Sequence, residues 1–276
     1  MRPLRILLTA GLAVTFLGTP ASASQSPIAA ARRLQAPLVP GANDWKCKPG
    51  KAHPRPVVLV HGTFGVPLGN WAYLSHELAR RGYCVFALQY GQLNGSFFPG
   101  LDHIATSAGQ LKVFVRGVLA ATGSRRTDLV GHSQGGLMPR YYLRFLGGAK
   151  YVDDLVGIAP SNHGSPPDGT SSLCPACGEQ DTGSDFLRRL NAGHEVEPGV
   201  DYTVITSRND ELVVPWQGQF LKGPARQVTN VLIQKACPDF VADHLTIVYN
   251  SVTLQWTLNA LDRRGPADPR LRPACR

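Results

Sequence analysis

Beyond its first 17 residues this sequence has no apolar run long enough to cross a bilayer, which takes about 20 residues. No later transmembrane anchor is expected, and the mature chain should be soluble. There is no block of basic residues interleaved with aromatics and no DNA-binding motif, so nucleic acid is set aside as a partner. There is no internal repeat, which removes solenoids and propellers. Cys174-Pro175-Ala176-Cys177 has no second C-x-x-C to complete a zinc site, and it does not follow a strand as a redox motif would. It reads as a small structural loop. No cluster of carboxylates in the sequence demands calcium, and no metal or organic cofactor is expected.

What is present begins with Met1-Arg2-Pro3-Leu4-Arg5, an apolar run from Ile6 to Leu17, and Ala21-Ser22-Ala23. A basic start, a short apolar core and an A-x-A site predict a secretory signal peptide over residues 1–23. A membrane anchor is the rival reading, but the run is short and holds Gly11 and Thr15. The expected protein is therefore secreted and extracellular. Losing Arg2 and Arg5 lowers the formal charge from +9 to +7, a basic surface that would be drawn to anionic envelopes or lipid headgroups. About 250 remaining residues suit one α/β domain with a proper core. Six cysteines remain, at 47, 84, 174, 177, 237 and 275. An even count in an exported chain predicts three disulfides, among 15 conceivable pairings.

Residues 24–55, rich in Ala, Pro and Arg, read as a loosely held N-terminal arm. Then continuous apolar runs too short for helices alternate with segments of helical spacing. Strands are expected over 56–60, 84–88, 127–130, 155–159, 202–206 and 227–234. Helices are expected over 71–81, 102–121 (capped by Asp102), 134–146 and 245–261. Pro139 should kink the third of these or tighten its first turn. Residues 160–185 read as a long loop, with Asp185 capping a short helix after it. The alternation means a mainly parallel sheet with helices on both faces, an α/β fold whose sites lie beyond the carboxyl ends of the strands.

One such end carries Gly131-His132-Ser133-Gln134-Gly135. A serine hydroxyl needs a position clear of the backbone where a base can reach it. A G-x-S-x-G turn between strand and helix supplies that position. Asp210 ends the segment from Tyr202 and is the candidate acid, ahead of Asp201, which precedes the strand. His244 follows it in the chain and is the candidate base. Of the eight histidines, His163 is its closest competitor, while His61 and His132 are expected to shape tight turns. The order Ser133, Asp210, His244 is that of the α/β-hydrolases. Donors for an oxyanion should come from the residue after the nucleophile, Gln134, and from the turn after the first strand, at Thr63.

Val58–Gly65 (VLVHGTFG), Gly131–Gly136 (GHSQGG), Thr206–Pro215 (TSRNDELVVP) and Asp243-His244 together resemble the secreted lipases of the α/β-hydrolase superfamily. The likeness is to the actinobacterial triacylglycerol lipases and to the lipase B type of Candida antarctica, over about Cys47 to Cys275. His61 stands where the fungal type has another residue and fits the bacterial branch better. The resemblance implies a catalytic domain over residues 56–276 and a triad of Ser133, Asp210 and His244. It implies Thr63 and Gln134 as the oxyanion hole and pairings Cys47–Cys84 and Cys237–Cys275. Cys174 and Cys177 are then left for each other, a departure from the lipase B pattern. The expected substrate is an acyl ester or lipid, met at a lipid–water interface by a monomer.

Esterases for short chains, cutinases and polyester hydrolases share this machinery. A binding protein of the same fold is the rival of another class, though it would have no need to keep all five positions. Phe64, Trp71, Phe97 and Phe98 are candidates to line an acyl groove, and residues 160–185 are a candidate lid.

Overall fold

Four short and almost wholly buried runs build the centre of the sheet. Such runs suit parallel strands covered by helices on each side. The computed structural model describes residues 26–276 apart from 66 and 168, so the expected signal peptide lies outside the described residues. The strands are β1 (Val57–Val60), β2 (Val85–Leu88), β3 (Thr127–His132), β4 (Val152–Ile158), β5 (Asp201–Thr206) and β6 (Val228–Leu232). They form one sheet in the order β2-β1-β3-β4-β5-β6, parallel throughout. This is the parallel α/β sheet the alternation predicts.

Helices α1 (Pro27–Arg32), α3 (Ile104–Thr122) and α4 (Gln134–Phe145) cover one face. Helices α2 (Pro67–Arg80) and α8 (Ser251–Leu261) cover the other. The spacing Trp71, Leu74, Leu78 places one stripe of α2 in the core, and Ile104, Ala108, Leu111, Val115 and Val118 do the same for α3. Shorter helices α5 (Pro175–Glu179), α6 (Asp185–Asn191) and α7 (Ile233–Ala236) sit in the later connections.

The sheet's topology decides where a site can form. From β1 the chain crosses to β2 on one side, then returns to β3 on the other. The turns after β1 and β3 therefore diverge from adjacent strand ends, and a crevice opens between them. Val60 is level with Gly131 across that pair.

Several expectations are corrected. The arm is not loosely held: Ala31 of α1 is fully buried, and a Cβ on Gly117 of α3 would lie 2.1 Å from the Ala31 Cβ. Ala36, Asn43 and Leu34 satisfy outward backbone groups of β2 and the residue after it, through Ala36 N to Ala87 O (2.8 Å), Asn43 N to Val85 O (2.9 Å) and Gln89 N to Leu34 O (2.8 Å). Asp102 does not cap α3; the Ile104 N–H donates instead to Glu179 Oε2 of α5 at 2.7 Å. Ser184, not Asp185, caps α6, its Oγ accepting from Leu187 N. The expected last helix is broken: a 3₁₀ turn over Thr246–Tyr249 stops at Asn250, whose Oδ1 caps α8 through Thr253 N at 2.8 Å.

Three disulfides form: Cys47–Cys84 and Cys237–Cys275, as the resemblance implies, and Cys174–Cys177, the pair it left over. Asp128, Asp153 and Asp154 meet around Arg55 at the start of the sheet. The Arg55 guanidinium holds the cationic place there: Nε is 2.6 Å from Asp128, Nη1 3.1 Å from Asp153 and Nη2 3.2 Å from Asp154.

Candidate active site

Ser133 follows β3 directly and has φ +56°, in the left-handed region. For a residue with a side chain that conformation costs on the order of 1–3 kcal/mol, so the surroundings must impose it. They do so from both arms. Ser133 N–H donates to Ile158 O at 2.9 Å, extending the β3–β4 ladder, and Ser133 O accepts from Gly136 N at 2.9 Å, opening α4. The arms close so tightly that a Cβ on Gly131 would lie 1.8 Å from Gly135 O, and one on Gly135 would lie 1.9 Å from Val60 O. Glycine is required at both places.

Asp210 and His244 are buried, at 5% and 3% exposure, and His244 Nδ1 donates to Asp210 Oδ2 at 2.8 Å. A carboxylate is held there by a full set of donors. Oδ1 accepts from Leu212 N (3.0 Å) and Val213 N (2.8 Å), and Oδ2 also accepts from Gln219 Nε2 (2.8 Å). Burial alone would raise the Asp210 pKa. The hydrogen bond and charge of His244, with the Val213 and Leu212 amides, outweigh it and hold the carboxyl below its ordinary range. Gln219 is kept in place by Thr206 Oγ1, which donates to its Oε1 at 2.8 Å. The His244 amide donates to Glu211 Oε2 at 3.1 Å.

Ser133, His244 and Thr63 line one cavity of about 620 Å³. Among the described residues neither Ser133 Oγ nor His244 Nε2 has a hydrogen-bond partner, so both are open to a ligand there. Such bonds often tighten only when substrate is bound. Gln134 is the first residue of α4, so its backbone N–H has no acceptor within the helix. Its side chain donates to Thr63 Oγ1 at 2.8 Å and to Gly100 O at 2.9 Å. The turn after β1 and the turn after β3 are thus tied together beside the serine.

The other candidates fall elsewhere. Asp201 lies at the opposite end of its strand, and His163 is bound to Gly218 O and Glu195. His61 stacks on Tyr90, and burial pushes its pKa down to about 4. Trp71 is core, not groove wall. Phe64 lines the cavity, with Phe98 edge-to-face on it and Phe97 on Phe98. Leu212 and Leu245 also line the cavity, and both are exposed.

Sequence reasoning missed His132, Gln219 and Gln180. His132 Nε2 lies 2.8 Å from His244 O, and Nδ1 lies 2.9 Å from Asn70 Nδ2. A carbonyl only accepts, so Nε2 carries the proton and Nδ1 accepts from Asn70. Burial, then the neighbouring His244, pushes its pKa down to about 3. His132 and Gln180 find partners far along the chain, whereas Gln219 meets Asp210 across a turn that has no regular spacing.

The sequence profile described as Lipase (class 2) matches residues 54–256. A triacylglycerol lipase of Pseudarthrobacter phenanthrenivorans is 37% identical over 91 residues, 31% of this chain and 27% of that protein. The match thus spans about a quarter of that relative's length. Among solved structures, lipase B of Aspergillus fumigatus superposes with a TM-score of 0.74 at 24% identity, over 97% of this chain and 65% of that one. Mature Bacillus licheniformis lipase BlEst2 gives 0.58 at 16% identity, over 77% and 94%. These superpositions show a shared fold.

Proposed function

The chain belongs to the class 2 lipase family, and we propose that it is a serine carboxylic-ester hydrolase that cleaves triacylglycerols through an acyl-enzyme on Ser133. One observation carries this reading: the 2.8 Å bond from His244 Nδ1 to Asp210 Oδ2, beside an elbow serine that faces the same cavity.

In this reading His244 Nε2 takes the Ser133 proton as Oγ attacks the ester carbonyl. Asp210 holds the imidazole in one tautomer and stabilises its cation. Thr63 and the Gln134 N–H donate to the oxyanion. The tetrahedral adduct collapses, the C–O bond to the alcohol breaks, and His244 returns the proton to the leaving alkoxide. Water, deprotonated by His244, attacks the acyl carbonyl; the fatty acid leaves and Ser133 is regenerated.

The apolar rim of Phe64, Leu212 and Leu245 supports an acyl chain as the bound group and a lipid–water interface as the place of action. One chain supplies every group of the site, which fits a working monomer. Three disulfides fit an oxidising, extracellular setting.

Ser133→Ala should abolish hydrolysis of emulsified triacylglycerol with an unchanged melting temperature. Undiminished turnover would refute the assignment. A chain-length series of acyl esters, run above and below the solubility limit beside a polyester film, tests the substrate. Preference for dissolved short esters would make the protein an esterase instead.

A further inference from the structure

The Thr63 hydroxyl receives two hydrogen bonds. Gln134 Nε2 donates to Oγ1 at 2.8 Å, and Gln180 Nε2 donates at 2.9 Å. The orientation of both amides follows from their other partners. Gln134 Nε2 also faces Gly100 O (2.9 Å) and Gln180 Nε2 faces Ala176 O (3.0 Å), and carbonyls accept only from N–H. Gln180 Oε1 in turn accepts from Ser161 Oγ at 2.7 Å. A hydroxyl oxygen has its carbon, two lone pairs and one hydrogen. With both lone pairs engaged, only its own O–H is uncommitted. Among the described residues that hydrogen has no acceptor, and Thr63 lines the cavity with Ser133.

We propose that Gln180 is a positioning residue: together with the Gln134 side chain it forces the Thr63 hydroxyl to act as a donor toward the oxyanion formed on Ser133. The proposal rests on the ester-hydrolase reading of the site. With Gln134 alone, one lone pair would be free and the hydroxyl could rotate. The second amide removes that freedom before substrate arrives, which is where a preorganised donor gains its effect. Gln180 is itself fixed as the C-cap of α5, its N–H bonded to Cys177 O at 3.1 Å, in a helix cross-linked at its start by Cys174–Cys177. The connection between β4 and β5 is therefore part of the oxyanion apparatus, beyond any role as a cover.

The test is a double-mutant cycle on a dissolved p-nitrophenyl ester, with thermal unfolding as the control for folding. Gln180→Met should lower kcat about tenfold and leave KM within about twofold, since the donor acts on the transition state. In a Thr63→Val background the same change should cost less than about twofold, because the hydroxyl it orients is gone. Gln180→Glu supplies a carboxylate, which only accepts and so turns the hydroxyl toward itself. Its kcat should fall about 100-fold near neutral pH and recover relative to wild type as the carboxyl is protonated. Equal losses from Gln180→Met in both backgrounds, or no loss in wild type, would overturn the proposal and leave the hydrolase reading standing. A wild type without Ser133-dependent turnover would overturn both.

Discussion

His132 Nε2 donates to the backbone oxygen of His244 at 2.8 Å. The residue beside the elbow serine thereby holds the loop that carries the proposed base, across 112 positions of sequence. His132→Leu removes both this donor and the acceptor for Asn70. The expected loss in kcat is about 100-fold, the scale of a base displaced by about 1 Å. His132→Gln, which can still donate and accept, should restore most of it. Steady-state kinetics on both variants check the point; equal rates for Leu and wild type would refute it.

Acid should weaken the fold through two of the buried histidines, His61 and His132. Burial lowers His61 to about 4 and His132 to about 3, against 6.5 for an unperturbed histidine. Their native forms are neutral, while the unfolded chain takes up protons below about pH 6.5. The stability is present above that pH and is lost as pH falls toward the native values. By pH 5 each histidine should cost about 2 kcal/mol. Urea unfolding of His61→Phe at pH 7 and pH 5 should show a pH difference about 2 kcal/mol smaller than that of wild type.

Arg55 stands among three carboxylates at the end of the sheet away from the cavity. Arg55→Met takes the cationic partner from the buried Asp128 and Asp154, while Asp153 keeps Arg126, and should cost about 3–5 kcal/mol. Turnover per folded molecule should stay within about twofold, so denaturant curves and kinetics separate the two effects. Burial, then the neighbouring Asp128, raises the Asp154 pKa. A raised carboxyl stabilises the fold at low pH and loses that contribution as pH climbs through its native value. Asp154→Asn should therefore flatten the alkaline decline in melting temperature.

The disulfides should differ in worth by loop length. Cys47–Cys84 closes a separation of 37 residues and Cys174–Cys177 one of 3. Chain entropy assigns about 4 kcal/mol to the first and under about 2 to the second. Double Cys→Ser variants of each pair, compared by guanidinium unfolding, test the ranking.

The legible parts of this protein are those written in short-range pattern. The elbow shows in Gly131 and Gly135, because backbone crowding leaves no alternative residue. The sheet shows in runs such as Val57–Val60, because parallel strands must be apolar on both faces. Asp210 and His244 show through chain order and strand-end position. What stays hidden depends on partners that pattern does not encode. Glu179 caps α3 from 75 residues away. Gln180 and His132 matter through side-chain bonds to residues 117 and 112 positions away, and Gln219 through a bond to Asp210 across an irregular turn. The arm misleads for a different reason: Ala and Pro look unconstrained, yet Ala31 is small enough to seat against Gly117.

The arm across β2 bears on how copies of the molecule meet. Val85 O, Ala87 O and the Gln89 N–H are occupied by residues of the same chain, and Asn43 Oδ1 takes the Ala87 N–H at 2.9 Å. A bare strand at that border would offer those groups to any passing strand. Here the polypeptide answers its own template, so high local concentration does not invite this border to join sheet to sheet.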